Sequence, residues 1–163
     1  MQVTVDGTDF SVAEPYPFET KWFSHKFKGP GLRYEVAVCI QTGDIVWTYG
    51  PFPCGRFPDL KIFWRRLMGM LQQGEKVEAD NGYRGERHKI RTPQDYLNEA
   101  DRKAKSNARA RHETVNKLFK QWGCLKQTFR HPLQRHILCF NAVAVLTQLM
   151  IDHGGCRPYR VIY

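Results

Sequence analysis

Three acidic residues are set apart by what surrounds them. Asp6 follows Val3, Thr4 and Val5, which are β-branched strand formers, and Gly7 comes directly after it. Asp80 closes the short strand-like run EKVEAD, and the segment NGYRG then turns the chain away. Glu113 lies in NEADRKAKSNARARHETVNKLFKQWG, a long helical pattern that Gly123 is expected to stop. Val115, Leu118, Phe119 and Trp122 form an apolar stripe on that helix. At about 100° per residue, Glu113 points nearly opposite the stripe, in the company of Arg109, Asn116, Lys117 and Lys120. From Asp101 to His136 there are ten Lys or Arg against two acids, Asp101 and Glu113.

Carboxylates gathered in one place repel, and at least one of them then holds its proton more tightly. A bound divalent cation removes that cost. Mg²⁺ takes oxygen ligands, uses few carboxylates and keeps water or phosphate oxygens in its shell. Two such ions can activate an attacking oxygen and stabilise a leaving one. Basic residues around them would hold a phosphate backbone by releasing its counterions. Acids in a basic field therefore suit metal-dependent phosphodiester chemistry. Each acid alone also has a plainer reading. Asp6-Gly7 and Asp80-Asn81-Gly82 are ordinary turn pairs, and Glu113 stands four residues before Lys117, a common stabilising spacing. Periodicity does not show that the three converge.

The elements that must position them can be read in outline. The chain has 163 residues, 42% hydrophobic and 13% aromatic, which fits one folded domain with a sizeable core. A net charge of +9 points to a polyanionic partner. Five cysteines without CxxC spacing indicate neither a disulfide framework nor a zinc finger, and a reducing intracellular setting is expected. The longest apolar run, ILCFNAVAVLTQLMI, is too short and too mixed to span a bilayer, so no membrane partner is expected. VTVDGTDF reads as a first strand. YEVAVCI and IVWTYG around Thr42-Gly43-Asp44 read as a hairpin. LKIFWRRLMGMLQQG reads as one helix ended by Gly74, and a last helix covers about 134–153. RPYRVIY reads as a closing strand, and no period is clear from Glu86 to Asn98. The sum is an α/β domain with a central mixed sheet flanked by helices. Asp6 and Asp80 fall at predicted strand exits, where ligands often bind in open α/β sheets.

The blocks VDGTDF, GPFPCGRFPD, EADNGYRGE and ARARHETVNKLFKQWGCLK…FRH, in that order, resemble the DDE superfamily endonucleases, of the PIF/Harbinger transposase type with its insertion-sequence relatives. The resemblance covers nearly the whole chain as a single catalytic domain, without the family's N-terminal DNA-binding region. It implies a ribonuclease-H-like fold and Mg²⁺- or Mn²⁺-dependent cutting and joining of DNA, with two ions expected. By position it implies Asp6, Asp80 and Glu113 as the catalytic, metal-holding acids, with Asp59 as a further candidate ligand or as a residue that fixes its loop. Arg109 and Lys120 match the spacing of basic residues on the helix of bacterial relatives, whose Tyr position holds Ser106 here. Arg109, Lys120, Lys117 and Arg111 are the expected DNA contacts, with solvated surface charge as the alternative. The implied partners are transposon ends and target DNA, an accessory DNA-binding protein and a second copy of the chain. The implied location is nuclear in a eukaryote and cytoplasmic otherwise. The competing reading is a domesticated or truncated relative that binds DNA without catalysis.

The remaining residues have plainer expectations. His112 is read as an exposed helix histidine, Tyr83 as a packing residue, and Trp47, Trp64 and Trp122 as core. Trp22 and Phe23, near Lys21, Lys26 and Lys28, are read as candidates for contact with splayed DNA ends.

Overall fold

The computed structural model describes residues 2–96 and 98–154. The first strand, β1 (Val3–Ser11), is followed by the two-residue β2 (Phe23–Ser24) and by a long hairpin, β3 (Gly29–Cys39) and β4 (Ile45–Pro53). Next come two short helices, α1 (Asp59–Arg65) and α2 (Leu67–Met70), then β5 (Val77–Ala79) and β6 (Ile90–Arg91). The chain continues into α3 (Glu99–Phe119), α4 (Gly123–Lys126) and α5 (His136–Asp152).

The strands form one mixed six-stranded sheet. β3 pairs antiparallel with both β1 and β4, while β5 runs parallel to β1 and β6 parallel to β5. Across the sheet the order is β4-β3-β1-β5-β6, and β2 pairs with the first residues of β3. Helices cover both faces. Phe10 of β1 and Tyr34, Val36 and Val38 of β3 pack with Val115, Leu118 and Phe119 of α3 and Phe140 and Val143 of α5. On the other face Val3, Val5, Ala37, Val77 and Ala79 pack with Phe63, Leu67 and Tyr83. This is the period-2 alternation of strands buried on both sides.

The pairing of β1 corrects the expected strand exit at Asp6. β1 pairs with β3 along its full length, from Val3↔Cys39 to Ser11↔Gly31. It pairs with β5 only at Thr4↔Glu78 and Val5↔Ala79. What ends beside Asp6 is the parallel ladder, because β5 stops at Ala79. Asp6 and Asp80 are the next residues on the two strands, and by alternation both face α3.

Several helical expectations also change. The single helix expected after residue 60 is two, because Arg66, at φ −149° and ψ −54°, leaves the helical region, and the weak helix former Gly69 follows. Trp64, expected in the core, is half exposed, whereas Trp47 and Trp122 pack against it. α3 ends at Phe119, and Gly123 opens α4 instead of stopping α3. The segment without clear period holds β6 and a 3-10 turn at Pro93–Asp95. The closing strand expected at RPYRVIY lies outside the described residues.

α5 is apolar on most sides. It buries Phe140, Val143 and Ile151 and leaves Leu138, Val145, Leu146 and Leu149 exposed. Among the described residues no helix is long and apolar enough to cross a membrane. The hub of the core is Phe140. Its ring stacks on Tyr34 at 3.8 Å between centroids, and Phe10 and Phe119 approach at 5.7 and 5.4 Å. Tyr34 Oη lies 2.8 Å from His136 Nδ1, which ties the start of α5 to β3. Phe140→Ala is expected to cost about 3–5 kcal/mol, measured as a lower urea midpoint at unchanged m-value.

Candidate active site

A cavity of about 340 Å³ opens beyond the end of the β1–β5 ladder. Thr4, Val5 and Asp6 line it from β1, and Glu78, Ala79 and Asp80 from the β5 segment. The wall opposite is α3, which presents Arg102, Lys105, Arg109, His112 and Glu113. These positions recur every three or four residues, as one helix face must. The structure thus brings Asp6, Asp80 and Glu113 to one cavity from three elements far apart in sequence.

Local chemistry fixes each acid differently. Asp6 Oδ1 accepts the Gly7 N–H at 2.8 Å. Asp80 Oδ1 accepts the Gly82 N–H at 2.7 Å and so caps the 3-10 turn Asn81–Tyr83. Each carboxylate keeps its second oxygen for another partner. Glu113, on the exposed part of α3, is held by Arg109 Nε at 3.2 Å. Burial pushes the Asp6 carboxyl up to about 6; Lys26 opposes that rise, and Asp80 and Asp59 add to it.

Asp59, expected in a loop, is the first residue of α1 and approaches from the opposite face of the sheet. Its carboxylate lies against Gly7 so closely that a Cβ there would overlap Oδ1, and a Cβ at Gly82 would lie 3.1 Å from Oδ2. The missing side chain at Gly7 therefore leaves the space that the Asp59 carboxylate fills. Arg33 governs this contact. It grips Asp9 with two bonds, Nε–Oδ1 at 2.6 Å and Nη2–Oδ2 at 2.9 Å. Its Nη1 lies 3.2 Å from Asp59 Oδ1, an ion-pair distance without hydrogen-bond geometry. Burial raises the Asp59 carboxyl above its ordinary value, and Arg33 is the main opposing influence.

Other expected contacts fall elsewhere. Arg111 is buried and donates to the Gln41 carbonyl at 2.7 Å, so it anchors α3 to the end of β3 and is not a surface phosphate contact. Lys117 and Lys120 are exposed but do not line the cavity. His112 is 2% exposed, contrary to the expected surface position. Burial pushes its imidazole down to about 4, which leaves it neutral at pH 7. Tyr83 is buried as expected, and Trp22 packs against the core. Phe23 is half-buried with its ring edge-on to His25, so neither Trp22 nor Phe23 offers an open stacking surface.

Sequence reasoning missed the Glu78–Lys105 pair in the cavity wall. Lys105 Nζ lies 3.1 Å from Glu78 Oε2, Tyr96 Oη donates to Glu78 Oε1, and Lys105 also donates to the Arg91 carbonyl. Burial lowers the Lys105 ammonium, and Glu78 resists that shift. The available signal was the spacing of Arg102, Lys105 and Arg109, which puts them on one helical face. Glu35 was missed too. It is fully buried opposite Gly7, accepts from Trp47 Nε1 at 3.1 Å, and is pushed up to about 7 by burial.

Among the described residues no three of His, Cys, Asp and Glu are gathered closely enough to hold a metal ion as they stand. The donor chemistry nevertheless fits a hard divalent cation. The donors are oxygens only, Asp6 is raised partly by its acidic neighbours, and the buried Asp59 Oδ1 makes no hydrogen bond. Comparison with family models, curated proteins and solved structures returned no match to this chain.

Asp6 binds its proton more tightly in the folded chain than its ordinary value of 3.8. Its charge therefore costs stability, increasingly so from about pH 4 to pH 6 and fully above that. Asp6→Asn should make the metal-free protein more stable at pH 7 by on the order of 2 kcal/mol. The gain should vanish below pH 4, checked by urea unfolding of both proteins at the two pH values.

Proposed function

We propose that the chain is a divalent-metal-dependent DNA endonuclease and strand transferase of the DDE transposase type, built on a ribonuclease-H-like fold. One observation carries the reading. Asp6 and Asp80 are adjacent at the end of a parallel ladder, and Glu113 lines the same cavity from α3. The order β4-β3-β1-β5-β6, with β3 antiparallel and β5 parallel to β1, supports the fold assignment.

In this reading Asp6, Asp80 and Glu113 hold Mg²⁺ or Mn²⁺, and Asp59 contributes its charge from behind Gly7. A bound pair of ions would supply activation of the attacking oxygen and stabilisation of the leaving one in an in-line displacement. The chain's own residues do the rest. Arg102 and Arg109, on the α3 wall, attract and orient the phosphodiester. Lys105 is engaged with Glu78 and keeps the wall rigid. Neutral His112 occupies the buried end of the cavity without adding charge. Element ends and target DNA are the substrates, with water as nucleophile in cleavage and a 3′ hydroxyl in joining.

The Arg109–Glu113 pair favours a second reading, a transposase-derived DNA-binding protein without catalysis, because it engages the third acid internally. An exposed pair of this spacing contributes only about 0.3–0.5 kcal/mol, too little to withhold Glu113 from a divalent ion.

Asp6→Asn and Asp80→Asn should each abolish Mn²⁺-dependent nicking of supercoiled DNA while leaving the circular dichroism spectrum unchanged. Calorimetric titration should show Mn²⁺ binding to the wild type and its loss in Asp80→Asn. Cleavage at the wild-type rate by either variant would refute the assignment, and a wild type that binds no Mn²⁺ would favour the second reading.

A further inference from the structure

The turn between β2 and β3, His25–Lys28, reaches the acids from the side opposite α3. Lys26 Nζ donates to the Gly7 carbonyl at 2.6 Å, one residue from Asp6. Its charge acts on Asp6, Asp9 and Asp59 alike. Ser24 relays the turn to β1: the Lys26 N–H donates to Ser24 Oγ at 3.3 Å, and Ser24 Oγ donates to Asp9 Oδ2 at 2.7 Å. Phe27 is 38% exposed. Its ring lies over Gly29 and Gly31, and a Cβ at Gly31 would overlap the ring. Lys28 is exposed and holds φ 54°, a left-handed conformation uncommon outside glycine.

We infer that this turn is a stacking and phosphate contact for an unpaired nucleic-acid strand entering the acid cluster. The inference rests on the proposed function for where that strand leads. An aromatic ring between two lysines suits successive bases and phosphates. The positive turn complements a polyanion, and the Lys26 bond to the Gly7 carbonyl sets the turn one residue from Asp6. Duplex DNA keeps its base faces covered by their neighbours, so Phe27 has a stacking partner only on an unpaired strand. A partner that used phosphates alone would engage the lysines and ignore the ring.

The test uses the full chain and fluorescently labelled phosphorothioate DNA in Mg²⁺, as a 12-nucleotide single strand and as its blunt duplex. Phe27→Ala should weaken single-strand binding about fivefold or more and leave the duplex unchanged, and Phe27→Trp should restore it. Lys26→Gln should flatten the dependence of log affinity on log salt by about 0.7 for the single strand. Equal losses for strand and duplex in Phe27→Ala, or no loss for either, overturn the inference. Calorimetric Mn²⁺ binding separates the two claims. Wild-type Mn²⁺ affinity in Phe27→Ala with unchanged strand binding sinks this inference alone. A wild type that binds no Mn²⁺ but shows the Phe27 dependence sinks the metal reading and supports the strand contact.

Discussion

Asp6, Asp59 and Asp80 are like charges held within reach of one another, and much of the nearby structure answers their repulsion. Arg33 restrains Asp59 while gripping Asp9, and Lys26 meets the acids from the β2–β3 turn. Because Asp59 arrives through the face of the sheet opposite the cavity, its position depends on a residue without a side chain at Gly7. α1, β1 and β3 are thereby joined at one point by charge as well as by packing. The raised Asp6 carboxyl measures the repulsion and desolvation that remain after these compensations.

The second constraint is geometric. A sheet closed by β1–β3 pairing on one side and a three-residue strand on the other must leave a notch where the short strand stops. The next residue on each strand beyond that stop, Asp6 and Asp80, carries a carboxylate, and α3 crosses above them. The site therefore needs no unusual backbone at Asp6, which lies within a regular strand. It needs β5 to be short, and Asp80 ensures that by accepting the Gly82 N–H and turning the chain into a 3-10 segment.

Much of this was legible in the sequence, and the gaps have identifiable causes. Strand alternation, the Gly43 turn and the stripe Val115–Leu118–Phe119 gave the sheet and α3 because each is a local periodic signal. The convergence of Asp6, Asp80 and Glu113 came from the resemblance, since periodicity carries no information on which strands become neighbours. Asp6 was misread as a strand exit because the end of one ladder and the end of a strand leave the same mark in a sequence. Arg111 and His112 were misplaced because they stand just before Glu113, and a helix turns about 100° per residue, enough to send both inward. The Glu78–Lys105 pair joins a strand to a helix; spacing puts Lys105 on the face of Arg102 and Arg109 but does not say which strand that face meets.

α3 has two occupations along one continuous rod. Its last turns plug the interior with Val115, Leu118 and Phe119, while its earlier turns and Glu113 wall the cavity. A helix cannot rotate at one end only, so the core that seats Phe119 also sets the direction in which Arg102, Arg109 and Glu113 point. A half-folded chain has no partly built cavity to offer, and the three acids share one cavity only in the fully assembled molecule.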